Sequence, residues 1–287
     1  MPASYELCTE VTPECPVSQT TYGYAPNLAA DVLFLVIFAL CAIAQILAGI
    51  RYRIRGFAIA ISAGSALEAV GYGGRIMLHY NPWDGNGFKI QIICIIIAPS
   101  LLAAGLYLTL KHLVLMLGPE KSRLRPRLYP WIFISCDIFS IVLQAVGGGI
   151  SASNNVSLLK TGDNIIVAGI SFQVATMFVC ICLAADFGWQ SLKSRRQKTM
   201  SDVDEGSMSR EIRGGRRWFK VSCIALAGAF MAIFIRCIYR IPEMSGGWGS
   251  PRMREQTAFL ILDSAMVSLS VLLMTVAYPV GIFCSAK

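Results

Sequence analysis

Seven apolar runs, each long enough to cross a bilayer at about 20 residues per helical span, leave this chain few folds to choose from. They cover approximately 28–50, 57–79, 90–112, 129–151, 164–188, 218–241 and 256–283. Lipid offers no partner to an open strand, and the runs lack the roughly ten-residue alternation of a membrane barrel, so helices are the expected form. A charged fraction of 15%, against about 25% in soluble domains, and a mean hydropathy of +0.59 point the same way. The expectation is an all-α polytopic membrane protein. A seven-helix domain spans 28–283 behind a polar tail, 1–27, with a flexible basic loop at 193–217 and a short tail at 284–287.

Orientation follows from the basic residues. Arg51, Arg53 and Arg55 occupy one connection, five Lys or Arg lie between Lys111 and Arg127, nine between Lys193 and Lys220, and Lys287 closes the chain: eighteen of 25 on one side. The positive-inside rule then puts the N-terminus outside and the C-terminus in the cytoplasm. The net charge of +8 is explained by topology, which leaves nucleic acid without a claim as a partner. The first 27 residues lack a basic segment followed by a short apolar core, so the first run is expected to act as an uncleaved anchor. Cys8 and Cys15, seven apart in the outer tail, suit a local disulfide in an oxidising compartment. Asn155-Val156-Ser157 is a glycosylation sequon on the predicted outer side.

Charges inside apolar runs are expensive, roughly 2.5 to 3.5 kcal/mol each near the bilayer centre on insertion scales. The second run carries Glu68, Tyr72 and Arg75 at i, i+4 and i+7, on one helical face. The fourth has Asp137, Ser140 and Gln144, and the fifth has Gln173. Arg236, Tyr239, Arg240 and Glu243 repeat the spacing in the sixth, and Asp263 lies in the seventh. At about 1.5 Å of rise per residue, Arg75 and Arg236 fall roughly 6 to 8 Å below the outer helix ends. Gln144 and Asp263 fall at about 10 Å, Gln173 at about 13 Å, Glu68 at about 16 Å and Asp137 at about 21 Å. These groups form a polar column that opens outward, with acids at its floor. The expected ion pair is Arg75 or Arg236 with Asp263. The first run, with Asp31 at its mouth and Gln45 near its inner end, is assigned no chemistry. Pro99 interrupts the third run and frees a backbone carbonyl, a kink or a gating hinge. Ala60, Gly64, Gly71, Gly73 and Gly74 let a neighbour approach the second helix closely. Tyr22 and Tyr24 suit an interfacial anchor better than a lid over a ligand.

Several chemistries have no residues to carry them. There is no phosphate-binding G-x-x-x-x-G-K-[ST] run. His79 and His112 sit near opposite membrane faces and cannot share a metal, and no lysine lies in the seventh run for a retinal Schiff base. No metal or other cofactor is expected, and the chain does not read as an enzyme. A hydrolase using Glu68 and Asp137 is the lesser alternative, because the two acids lie at different depths.

Five ordered motifs carry a resemblance. They are E-x-x-G-Y-x-x-R at Glu68 to Arg75, A-P-x-x-x-A-A-x-x-Y at Ala98 to Tyr107, D-x6-Q-x-x-G-G-G at Asp137 to Gly149, G-x-x-x-Q at Gly169 to Gln173, and R-x-x-Y-R-x-x-E at Arg236 to Glu243. The chain resembles the fungal lipid-translocating exporters, the resistance-to-aminocholesterol-like family that includes a sphingoid long-chain base exporter. Phe259 stands where that family usually has tyrosine. The resemblance implies seven helices, an external N-terminus and export of lipids or amphiphiles linked to drug resistance. The expected function is therefore a transporter or translocase for a sphingoid base-like lipid, or a toxic sterol or drug, in the plasma membrane, with an endomembrane as the alternative and membrane lipids as partners. A seven-helix receptor-like regulator of lipid asymmetry or stress response is the alternative.

Overall fold

The computed structural model describes residues 8–118, 120, 122–151, 156–201 and 210–276. Among these the chain is helical, with no strand. The helices are α1 (Leu28–Tyr52), α2 (Arg55–Tyr80), α3 (Gly85–Leu117), α4 (Leu128–Ser151), α5 (Val156–Ser201), α6 (Arg210–Met244) and α7 (Gln256–Val276). Local signals start and stop them. The Asn27 side chain accepts from the Ala29 and Ala30 amides at the head of α1, and Asp84 accepts from Asn86 at the head of α3. Arg53, at φ 56°, turns α1 into α2.

Consecutive helices run antiparallel. Asp31 meets Arg75 and Gln45 meets Ser65 across α1 and α2. Met177 meets Cys237 across α5 and α6, and Arg236 meets Asp263 across α6 and α7. The last helix returns beside the first, with Gln45 Nε2 donating to Thr275 Oγ1 at 2.8 Å. α3 is the central element: 67% of its most apolar stretch is buried, against 28% for α1 and α4. The apolar core gathers Phe38, Phe57, Leu106, Phe133, Met177 and Ile233 from six helices. The outward stripe Leu33, Leu40, Leu47 and Ile50 of α1 is exposed, as a lipid-facing surface should be.

Among the described residues six helices are long and apolar enough to cross a membrane; α2 is the exception. Its face with Glu68 and Arg75, together with its many glycines, makes it too polar to qualify alone, yet it lies packed between α1 and α3. Close backbone approach explains the packing. A Cβ on Gly74 would lie 2.8 Å from the Gly87 carbonyl oxygen, and one on Gly147 would lie 2.7 Å from that of Gly162. Gly73 has no such neighbour, so not every glycine expected to serve this purpose does.

Pro99, expected as a kink or a gating hinge, lies inside a helix that runs unbroken from Gly85 to Leu117. The basic connection begins as helix rather than as loop: α5 continues to Ser201 and α6 starts at Arg210. The reason is that a helix needs apolar residues only while it is in lipid, and beyond it Lys, Arg and Gln are good helix formers. Within α7, Leu260–Ala265 is wound as π-helix between α-helical Gln256–Phe259 and Met266–Val276, an interruption no propensity announces. Residues 284–287 lie outside the described residues.

The tail packs onto the end of the bundle where α2 and α6 finish. Cys8 and Cys15 are joined by a disulfide. Trp83 Nε1 donates to the Cys15 carbonyl at 3.1 Å and Asn81 Nδ2 to the Thr9 carbonyl at 2.8 Å. His79 Nδ1 lies 2.6 Å from the Pro26 carbonyl.

Candidate functional site

Beneath that tail lie three buried arginines. Arg75 is wholly buried, its Nε 2.9 Å from Asp31 Oδ1. Its guanidinium lies 4.3 Å from the Phe259 ring centroid and 5.8 Å from that of Tyr22, so two aromatic rings stand against the charge. Burial pushes the Tyr22 hydroxyl above the ordinary phenol range, with the Arg75 charge opposing, so the group stays neutral and accepts from Gln91 Nε2 at 3.0 Å. Tyr22 is thus a buried cover over Arg75 rather than an anchor at the headgroup level.

The second knot joins α6 to α7. Arg236 Nε and Arg240 Nε both reach Asp263 Oδ1, at 2.9 and 3.2 Å, and Arg240 Nη1 pairs with Glu243 Oε2 at 3.0 Å. The expected Arg236–Asp263 pair is present; the alternative, Arg75 with Asp263, is not, because Asp31 holds Arg75. Arg236 also donates through Nη2 to the Ile95 carbonyl at 2.6 Å. Pro99 lies four residues further along α3 and has no N–H to give that carbonyl. The proline therefore opens an acceptor in the helix wall, and an arginine from α6 fills it.

Glu68 stands apart. It is buried, its Oε1 has no hydrogen-bond partner, and among the described residues it makes no ion pair. Arg236, Asp263 and Arg240 are within electrostatic reach. Since Arg75, Arg236 and Arg240 are matched by Asp31, Asp263 and Glu243, Glu68 is the surplus carboxyl of the group. Asp137, on α4, has both oxygens buried and unpartnered; its neighbours are the Tyr107 hydroxyl and the thiols of Cys136, Cys180 and Cys237. The two acids thus sit among different polar groups, which gives no support to a shared catalytic site.

Gln144 and Gln173 form a relay: Gln144 Nε2 donates to Gln173 Oε1 at 3.2 Å, and Gln173 Nε2 to Ser100 Oγ at 3.0 Å. They line a cleft of about 20 Å³ among α3, α4, α5 and α6, together with Arg236, Arg240 and isoleucines such as Ile96 and Ile170. That volume holds about one water-sized group. Tyr72 turns its ring onto Phe34 and Phe38 of α1, at 5.4 and 5.5 Å, while its hydroxyl is within electrostatic reach of Asp263, Glu68 and Arg75. The Tyr239 hydroxyl is buried without a partner. Asn155 lies outside the described residues.

Sequence reasoning passed over Asp31, Gln45, Gln91 and Phe259. Asp31 was detectable: it sits one turn into α1, at the depth Arg75 reaches on an antiparallel neighbour. Phe259 carries no polar signal, and only its place between two arginines gives it a role.

These features define an integral membrane protein with a buried, charged interior at one end of a helical bundle. The chain belongs to the RTA1-like protein family, whose model matches residues 61–286. It is 31% identical over 278 residues to the sphingoid long-chain base transporter RSB1 of Saccharomyces cerevisiae (strain Lalvin EC1118), covering 90% of this chain and 72% of that protein. It is 25% identical to protein RTA1 of S. cerevisiae (strain S288c), covering 90% of this chain and 84% of the relative. Identity to protoporphyrin uptake protein 1 of the same strain is 28%, over 77% of this chain and 66% of the relative. No solved structure matches the chain.

Proposed function

We propose that the chain is a transporter, not an enzyme, that moves an amphiphile with a cationic, sphingoid base-like headgroup across the plasma membrane, and that Glu68 receives the ammonium. Glu68 carries the reading: it is the buried carboxyl left over when every buried arginine of the group has its own acid. An ammonium supplies up to three donors to a carboxylate that lacks them, while the alkyl chain stays among apolar side chains. The relatives named for transport of sphingoid bases and uptake of protoporphyrin support a lipid or amphiphile cargo. In this reading all seven helices span, α2 being carried by its neighbours; the tail faces outward, and the basic connections face the cytoplasm.

A cleft of about 20 Å³ is too small for a lipid headgroup, so passage by that route needs helices to part. Glu68→Gln keeps size and removes the charge. Efflux of a labelled long-chain base should fall at least tenfold at equal surface expression; undiminished efflux ends the proposal. Purified protein in liposomes should move the lipid unaided, and no movement there by an active, folded sample favours the receptor-like regulator.

A further inference from the structure

The cleft among α3, α4, α5 and α6 is built for the opposite charge. Arg236 and Arg240 both line it, but their carboxylate partners Asp263 and Glu243 do not, and no acidic side chain does among the described residues. The carboxylates that hold the two guanidiniums lie outside the lining, which brings arginine and amide donors together. Arg240 is more than nine-tenths buried and spends Nε on Asp263 and Nη1 on Glu243, which leaves Nη2 buried without a partner. Gln144 and Gln173 bring amides to the same lining, already oriented by their relay to Ser100. Ile96 and Ile170 make the rest of the lining apolar.

We propose that this cleft binds the anionic oxygen of an amphiphile's headgroup, a phosphate monoester or a carboxylate, with Arg240 Nη2 as its donor. A guanidinium whose other nitrogens are fixed by carboxylates is held in one orientation, and an acceptor-only oxyanion is its strongest partner. The cleft admits about one oxygen-sized group, so the head enters by a single oxygen while the chain lies along the isoleucines. Glu68 is not part of the lining, and the proposal does not rest on the cationic cargo assigned there.

The test uses the full chain in phosphatidylcholine nanodiscs, with n-dodecyl phosphate as probe and inorganic phosphate as its headgroup alone. Dodecyl phosphate should bind saturably and raise the unfolding temperature, whereas inorganic phosphate should do neither at equal concentration. Arg240→Lys keeps the charge but loses the fork, and should weaken binding at least tenfold. Ile170→Phe fills the cleft without touching an ion pair and should do the same, which covers the case in which the arginine variant fails to fold. Glu68→Gln should leave dodecyl phosphate binding intact, so loss of amine transport and loss of this site are read separately. No binding to the unaltered protein, or equal binding to a folded Arg240→Lys or Ile170→Phe variant, overturns the proposal. An equal response to inorganic phosphate overturns it too, since the site would then take a free anion and no chain.

Discussion

Pro99 shows how one residue can set another helix's charge in place. The carbonyl it leaves open at Ile95 accepts from Arg236, which in turn holds Asp263. Pro99→Ala returns an N–H to α3, and the new helical bond competes for that carbonyl. Because an interior proline costs a helix about 3 kcal/mol, the variant should unfold at the same or a higher temperature while its efflux falls. Unchanged efflux would show that the freed carbonyl does not position Arg236. The pairing of Arg236 with Asp263 was legible because the two residues lie at similar depths on adjacent helices. The pairing of Arg75 with Asp31 was missed for a physical reason: an acid in the first turn of a helix already has a local use, against the helix dipole, and so attracts no search for a partner.

The positions of the helices were legible because lipid demands an unbroken apolar run, and each expected run lies on one helix as far as the chain is described. Their ends were not, since polar residues beyond the lipid can extend a helix as readily as leave it. Glycine triplets were equally ambiguous. In Gly147-Gly148-Gly149 only the first touches another helix: its Cβ would meet Gly162 O at 2.7 Å and Ile166 N at 2.8 Å, and the other two meet nothing within 4 Å. Gly147→Ala should therefore destabilise by roughly 1 to 3 kcal/mol through overpacking. Gly148→Ala should stabilise by roughly 0.5 to 1 kcal/mol through helix propensity. Thermal unfolding of the two variants in one detergent checks the contrast, and equal shifts would contradict the α4–α5 contact.

Across the whole molecule the tail and the charged interior are one assembly, since Tyr22 covers Arg75 and the disulfide loop is fastened to the α2–α3 turn. A cross-link seven residues apart contributes about 2 to 3 kcal/mol on the chain-entropy account. Cys8→Ser with Cys15→Ser should speed chymotrypsin cleavage after Tyr22 and Tyr24 severalfold while leaving the helices intact by circular dichroism. An unchanged cleavage rate would mean that the bundle holds the tail without the cross-link. At the other end Gln45 accepts from Ser65 and donates to Thr275, which ties three helices at a single side chain. With Asp31 and Arg75 joining α1 to α2 near the tail, and Arg75 lying on the Phe259 ring of α7, the same three helices are pinned at two heights. In mechanical terms they make a rigid frame, to which α3 is tied by the Gly74–Gly87 contact and α6 by the Asp263 ion pairs, so in the proposed transport cycle the travel that admits a headgroup falls to α4 and α5 moving against them.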